Sequence, residues 1–256
     1  MTDIPDNSAQ KASSSYRIAA FDQEFLLSEE LRGVRFLLEY SKAEIALKRH
    51  EITSNIVVFG SARIREDGPG RSSHWYEQAR AFGRIASERG GAINGAPHTN
   101  VITTGGGPGA MEAANRGARD AGAPTIGLNI VLPHEQEPNA YSTPDLTFNF
   151  HYFAMRKMHL AMRAAALVVF PGGFGTLDEL FEILTLTQTK KAPIIPVVLF
   201  DEAYWRSIIN FDALLEHGMI EESDLKLFKF AESAEAAWEA LLQQGLAIAS
   251  IAPKNV

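Results

Sequence analysis

The stretch Pro171-Gly-Gly-Phe-Gly-Thr-Leu-Asp-Glu179 decides the fold. It follows an apolar run, Ala165 to Phe170, and precedes an amphipathic run, Leu177 to Lys191. The order reads as strand, glycine turn, helix. Such a turn aims bare backbone N–H groups at whatever lies beyond the strand end. On this reading Asp178 and Glu179 fall in the first helical turn, beside the same spot. An anion cradle next to an acid points to a phosphorylated substrate and to carboxylate chemistry on a nearby bond. Thr176-Leu-Asp-Glu179 is also a capping box, in which Thr176 caps the helix and Glu179 bonds back to the cap N–H. Both readings stand at this point. A carboxylate in a first turn is favoured in its ionised form, the form that supports an oxocarbenium-like transition state.

Working outward, the same alternation recurs. Ile56–Phe59 reads as a strand ending in Gly60-Ser-Ala-Arg63, and Ser73–Arg89 as a helix closed by Gly90-Gly91. After an irregular segment, Ala92–Asn100, a strand at Val101–Thr104 ends in Gly105-Gly-Gly-Pro-Gly109. A helix over Ala110–Ala121 carries Gly122 in the C′ place. Strands follow at Thr125–Leu132 and Leu146–Phe150, separated by a polar loop from His134 to Asp145. A helix over His151–Ala165 leads into the opening strand. A strand at Ile194–Phe200 and helices near Ala203–His217 and Ala234–Leu246 complete the pattern. Strands separated by helices imply a parallel sheet with helices on both faces, a doubly wound, Rossmann-like α/β fold. Residues 1–16 read as a disordered tail, 17–51 as an N-terminal helical extension and 52–250 as the nucleotide-binding catalytic domain.

Ligands of such folds bind outside the carboxyl ends of the strands. Three strand ends here carry glycine-bearing turns: Gly60–Arg63, Gly105–Gly109 and Gly172–Thr176. As neighbours they would form one crevice. Gly105-Gly-Gly-Pro-Gly-Ala110 contains the spacing of a dinucleotide fingerprint, but Ile126–Ile130 lacks the acid that would hold a ribose diol. No Gly-Lys-Ser/Thr follows a glycine run, which excludes a P-loop. The turn therefore suits a monophosphate, or serves tight packing alone. Arg156, His159 and Arg163 share one helical face; they form either a solvated basic stripe or, with Arg156 or Lys157 over the crevice, a phosphate or Glu179 partner. Ser61 is a ligand donor or a turn residue. His74, His98 and His134 lack metal-ligand spacing, so no metal is expected.

The chain has 256 residues, 46% hydrophobic, with 24 Lys+Arg against 31 Asp+Glu, a net charge of −7 and no Cys. The charge argues against a general nucleic-acid or membrane-surface binder, and the missing Cys excludes disulfides and thiolate metal sites. No apolar run approaches a membrane span. Met1–Tyr16 is polar and Ser-rich, so a soluble cytoplasmic protein is expected. The helix after Pro171–Glu179 is apolar on more than one side, which predicts a homo-oligomer, dimer or hexamer.

Taken together, Gly105-Gly-Gly-Pro-Gly-Ala-Met111, Met155-Arg156-Lys157 and Pro171–Glu179 resemble the LOG ("Lonely Guy") family, and the N-terminal helices its larger subgroup. The resemblance covers roughly Ile52–Leu215. It implies a cytokinin riboside 5′-monophosphate phosphoribohydrolase without cofactor, often mislabelled a lysine decarboxylase. Its reaction would cleave the N-glycosidic bond of AMP or N6-modified AMP. Arg156 and Glu179 would be the catalytic pair, Gly172, Gly173, Gly175 and Thr176 the phosphate site, and Lys157 and Asp178 further ligand contacts. Ser61, Gly106, Gly107 and Met155 complete the expected substrate contacts. A non-catalytic nucleotide or phospho-ligand carrier is the competing reading. A pyridoxal decarboxylase would need a Schiff-base lysine in a cofactor pocket, and Lys157, Lys190 and Lys191 show no such context.

Overall fold

The computed structural model describes residues 6–132 and 137–248. Residues 1–5 of the expected tail, 134–136 of the polar loop with His134, and 249–250 at the end of the expected domain lie outside that range. By internal contacts the chain divides into Met1–Lys42 and Ala43–Val256.

The first unit is a string of short helices. It holds α1 (Ser8–Ala12), α2 (Gln23–Leu27) and the start of α3 (Arg32–Arg49). Residues 6–16, expected within a disordered tail, carry α1 and a 3-10 turn, all exposed. Asp22 caps α2 through the Phe25 N–H at 3.2 Å. Arg35 donates to the carbonyls of Leu26 and Ser28. Phe21, Leu27, Leu37 and Leu38 are more than half exposed.

The second unit is one seven-stranded, all-parallel sheet. Its strands are β1 (Asn55–Phe59), β2 (Val101–Thr104), β3 (Ile126–Ile130), β4 (Thr147–Phe150), β5 (Ala164–Val169), β6 (Val197–Phe200) and β7 (Lys229–Ala231). Their order is β4-β3-β2-β1-β5-β6-β7. The winding reverses between β1 and β5, which pair directly. Strand side chains alternate between two cores, as a sheet covered on both faces requires. Ile56 and Val58 join one core with Phe82 of α4 (Ser72–Gly90), Ala114 of α5 (Ala110–Asp120) and Trp238 of α10 (Ala234–Gln243). Val57 and Phe59 join the other. There they meet Leu160 of α6 (Phe153–Met162), Leu180 of α7 (Phe174–Gln188), Trp205 of α8 (Glu202–Ile208) and Phe211 of α9 (Phe211–Glu216). Ala43, Glu44 and Leu47, in the last turns of α3, are buried in this unit.

Several boundaries differ from the sequence reading. Ala164 and Ala165 belong to β5, so α6 ends three residues before Ala165. The expected helix over 203–217 breaks at Ile209-Asn210, because the Asn210 side chain accepts from the Ala213 N–H at 3.0 Å and starts a new helix. The last helix ends at Gln243. β7 was not anticipated; three residues are too few for a period to show. Gly122 takes the expected C′ role at φ +73°.

α4 and α5 lie almost backbone to backbone. A Cβ at Gly83 would strike the Ala114 carbonyl, and one at Gly117 the Arg80 carbonyl. Gly117→Ala is therefore expected to lower stability by about 1–3 kcal/mol through overpacking, despite alanine's better helix propensity. Gly33→Ala, in α3 with nothing within 4 Å of the new Cβ, should hold or raise it. Equal effects in thermal denaturation would contradict this packing account.

Candidate active site

The three glycine turns meet, because their strands are neighbours: β2, β1, β5. Backbone bonds tie them. The Ser61 N–H donates to the Pro171 carbonyl at 2.9 Å, and the Ser61 carbonyl accepts from the Ala110 N–H at 3.2 Å. Gly60 sits in the seam, where a Cβ would lie 2.6 Å from Ala110 Cβ and 2.9 Å from Phe170 Cβ. Any larger residue would separate the turns. Above them opens a cavity of about 330 Å³, within the size range of small-molecule sites.

Two helices begin at its wall. α5 starts after Gly109 and α7 after Gly173, and neither N-cap residue makes a side-chain cap bond. The N–H groups of Phe174 and Gly175 have no partner among the described residues. They are free to meet an anion, helped by the helix dipole.

α7 starts at Phe174, earlier than expected. Thr176 is thus its third residue, and its N–H bonds to the Gly173 carbonyl at 3.0 Å. The first turn contains no acid; Asp178 and Glu179 lie in the second. This corrects the first-turn placement and removes the capping box. Glu179 turns instead to Arg156, whose Nη1 is 3.2 Å from its Oε1.

Arg156 is held on three sides. Its Nε donates to the Leu128 carbonyl at 2.8 Å, its guanidinium lies 5.7 Å over the Phe59 ring, and it packs on Gly105 so closely that a Cβ there would collide with it. It is 7% exposed and lines the cavity; Glu179, 5% exposed, pairs with it from behind. Burial pushes the Glu179 carboxyl up to about 7, against the pull of Arg156 and Lys157. The same burial lowers the Arg156 guanidinium, opposed by Glu179. The carboxyl is therefore poised near neutrality, where a group exchanges protons most readily. The solvated-stripe reading of this helix fails. Arg156 and His159 are buried, and Arg163, just past α6, pairs with Glu44 at 2.8 Å.

The other expected residues divide. Ser61, Gly107, Gly173, Gly175 and Thr176 line the cavity with Arg156. Gly106 and Gly172 stand just behind the wall. Gly106 carries φ +71°, and the Gly172 carbonyl accepts from the Tyr204 hydroxyl at 2.8 Å. Met155 packs into the core beneath α6. Lys157 and Asp178 pair with each other at 2.9 Å in a groove between α6 and α7, with Glu182 3.1 Å from the same ammonium. Neither lines the cavity. The cavity also includes residues the sequence reading did not assign: Asn129, Arg63, Phe153 and Phe174. Asn129 lies in Ile126–Ile130, the segment that lacks a ribose-binding acid; an amide carries no signature of that kind.

A buried amide network stiffens the β2 turn. Asn115 accepts from the Thr104 hydroxyl at 2.7 Å and from Asn139 Nδ2 at 2.9 Å, and the Asn139 N–H reaches the Gly106 carbonyl at 2.9 Å. Satisfied buried networks of this kind hold a loop in one geometry. No group of His, Cys, Asp and Glu that could hold a metal occurs among the described residues, nor a helix long and apolar enough to cross a membrane.

A glycine-walled cavity at the reversal point of a parallel sheet, with a buried Arg–Glu pair behind it, places the candidate site of a Rossmann-like α/β protein. A family model described as possible lysine decarboxylase matches residues 111–241, and the chain belongs to this family, which includes the LOG proteins. Rice (Oryza sativa subsp. japonica) LOG4, a probable cytokinin riboside 5′-monophosphate phosphoribohydrolase, is 26% identical over 142 residues, covering 53% of this chain and 59% of that one. The chain spans about three fifths of the length of the curated relatives it matches. The X-ray structure of TM1055, a structural genomics target, shares the fold at TM-score 0.51 and 21% identity, over 74% of this chain and 99% of that one. A molybdenum cofactor binding protein from Rippkaea orientalis overlays at TM-score 0.49 and 21% identity, over 75% and 96%.

The raised Glu179 carboxyl has a stability signature. Folded, it keeps its proton up to about 7; unfolded, it loses it near 4.5. Its stabilising contribution is complete below 4.5 and is lost as pH rises through about 7. Glu179→Gln should remove this pH dependence. A difference in melting temperature between wild type and variant that does not change between about pH 5 and about pH 8 would refute it.

Proposed function

We propose that the protein hydrolyses the N-glycosidic bond of a nucleoside 5′-monophosphate, AMP or N6-modified AMP, to free base and ribose 5-phosphate. The observation that carries this reading is the buried Arg156–Glu179 pair beside the open N-terminus of α7. The 5′-phosphate sits on the Phe174 and Gly175 N–H groups. That contact is remote from the breaking bond and fixes the ribose in reactive geometry. Breaking the C1′–N9 bond sends its electron pair to the base and leaves positive charge on the ribose. Ionised Glu179 stabilises that charge and takes a proton from the attacking water, whose oxygen bonds to C1′. Arg156 orients Glu179 and sets the share of carboxylate present at neutral pH.

The decarboxylase description of the family finds no support in the site. A pyridoxal enzyme needs a lysine amine free to form a Schiff base. Burial would lower the Lys157 ammonium, but its ion pairs with Asp178 and Glu182 hold it above the ordinary value, and outside the cavity. The exposed apolar side chains of Phe21, Leu27, Leu37 and Leu38 support the expected homo-oligomer. Light scattering should then give a mass above the 28.1 kDa of one chain.

Incubation with AMP and with N6-isopentenyl-AMP should release free base and ribose 5-phosphate in equal amounts. Glu179→Gln should lower kcat by about 100-fold to 10,000-fold while leaving ribose 5-phosphate affinity in place. For the wild type, kcat/KM should climb as pH rises through about 7, where Glu179 loses its proton. Tight binding without base release from either nucleotide would sink the hydrolase reading and favour a carrier.

A further inference from the structure

One polar side chain in the cavity wall leaves its donor unused among the described residues. Asn129, near the end of β3, is 7% exposed, and its Nδ2 is buried without a hydrogen-bond partner among the described residues. It lines the same cavity as Arg156 and Gly173. Buried amides are rarely left unpaired, because the lost hydration is not recovered. The neighbouring turn is shaped around it. Gly106 lies so close that a Cβ there would collide with the Asn129 carboxamide. A glycine there leaves the carboxamide room beside the cavity that it lines.

The strand order tells which part of a ligand reaches it. β3 is three strands from β5, about 14 Å across the sheet at ~4.8 Å per strand. A nucleotide anchored by its phosphate at Gly173–Gly175 lays its ribose over β1 and extends its base toward β3. A carboxamide complements the N6/N7 edge of adenine, with Nδ2 donating to N7 and Oδ1 accepting from N6–H. An N6-substituted adenine keeps one N6–H and the free N7. The departing base also gathers the electron pair of the broken bond, and a donor on N7 steadies that charge. No proton leaves the amide; the base acquires its proton from water or from Glu179.

We infer that Asn129 reads the N6/N7 edge of the base and holds it as it leaves. This rests on the nucleotide reading of the site. The test is calorimetric binding of AMP, of AMP with carbon in place of N7, and of ribose 5-phosphate, to wild type and to Asn129→Ala, alongside adenine release. The variant should bind AMP about tenfold to a hundredfold more weakly and release adenine correspondingly more slowly. Its affinity for ribose 5-phosphate should stay within about twofold, and its melting temperature should not fall, since the amide nitrogen has no partner among the described residues. Wild type should bind the N7-less analogue about as weakly as the variant binds AMP. Equal loss of AMP and ribose 5-phosphate affinity would overturn the inference, placing Asn129 on the sugar-phosphate; so would no loss of either. If wild type binds AMP more tightly than ribose 5-phosphate but releases no adenine, the hydrolase reading falls while the base contact is judged on the binding data. Binding of neither compound removes both.

Discussion

Arg156 and Glu179 form a charge pair inside the protein, and much of the surrounding architecture serves to make that pair tolerable. Placing two ions away from water is costly, and removing one partner of such a pair costs about 3–5 kcal/mol because the other is left uncompensated. The chain distributes the burden. The guanidinium has a strand carbonyl on Nε, an aromatic face on one side and a glycine on another. The carboxylate lacks comparable support beyond Arg156. Burial therefore wins over the ion pair, and Glu179 rests near neutrality. A fully supported carboxylate would be a fixed charge. This one can gain and lose a proton near pH 7.

The pair needs the sheet reversal to matter. Arg156 hangs from the helix between β4 and β5, Glu179 from the helix after β5, and the turn after β1 meets both neighbouring turns. Only where the winding changes direction do the loops of adjacent strands part to leave a crevice. Here that place is the seam between β1 and β5, and Gly60 keeps the turns at contact distance. The electrostatic pair, the open helix N-terminus and the cavity converge because one topological feature brings their supporting elements together.

Much of this was legible in the residues. Apolar runs between helical patterns point to six of the seven strands, and the three glycine turns at strand ends are the three that line the crevice. What was missed follows from the limits of local pattern. Gly175 and Gly173 look like helix breakers, so α7 seemed to begin at Leu177. In fact Gly173 serves as N-cap and the helix runs through Gly175, which shifts Glu179 by most of a turn. Lys157 and Arg156 are adjacent in sequence but point to different places, since neighbours on a helix are about 100° apart. Asn129 carried no signal at all in one dimension. An unpaired amide becomes visible only when the rest of the protein fails to supply its partner.

The arrangement requires a particular orientation of the ligand, phosphate at α7 and base toward β3, and a rival exists in the second open helix, α5. A crystal structure with ribose 5-phosphate bound separates them directly. The account predicts the phosphate on the N–H groups of Phe174 and Gly175, with C1′ facing the Arg156–Glu179 pair. A phosphate seated instead at Gly107–Met111, with C1′ turned away from Glu179, would contradict it.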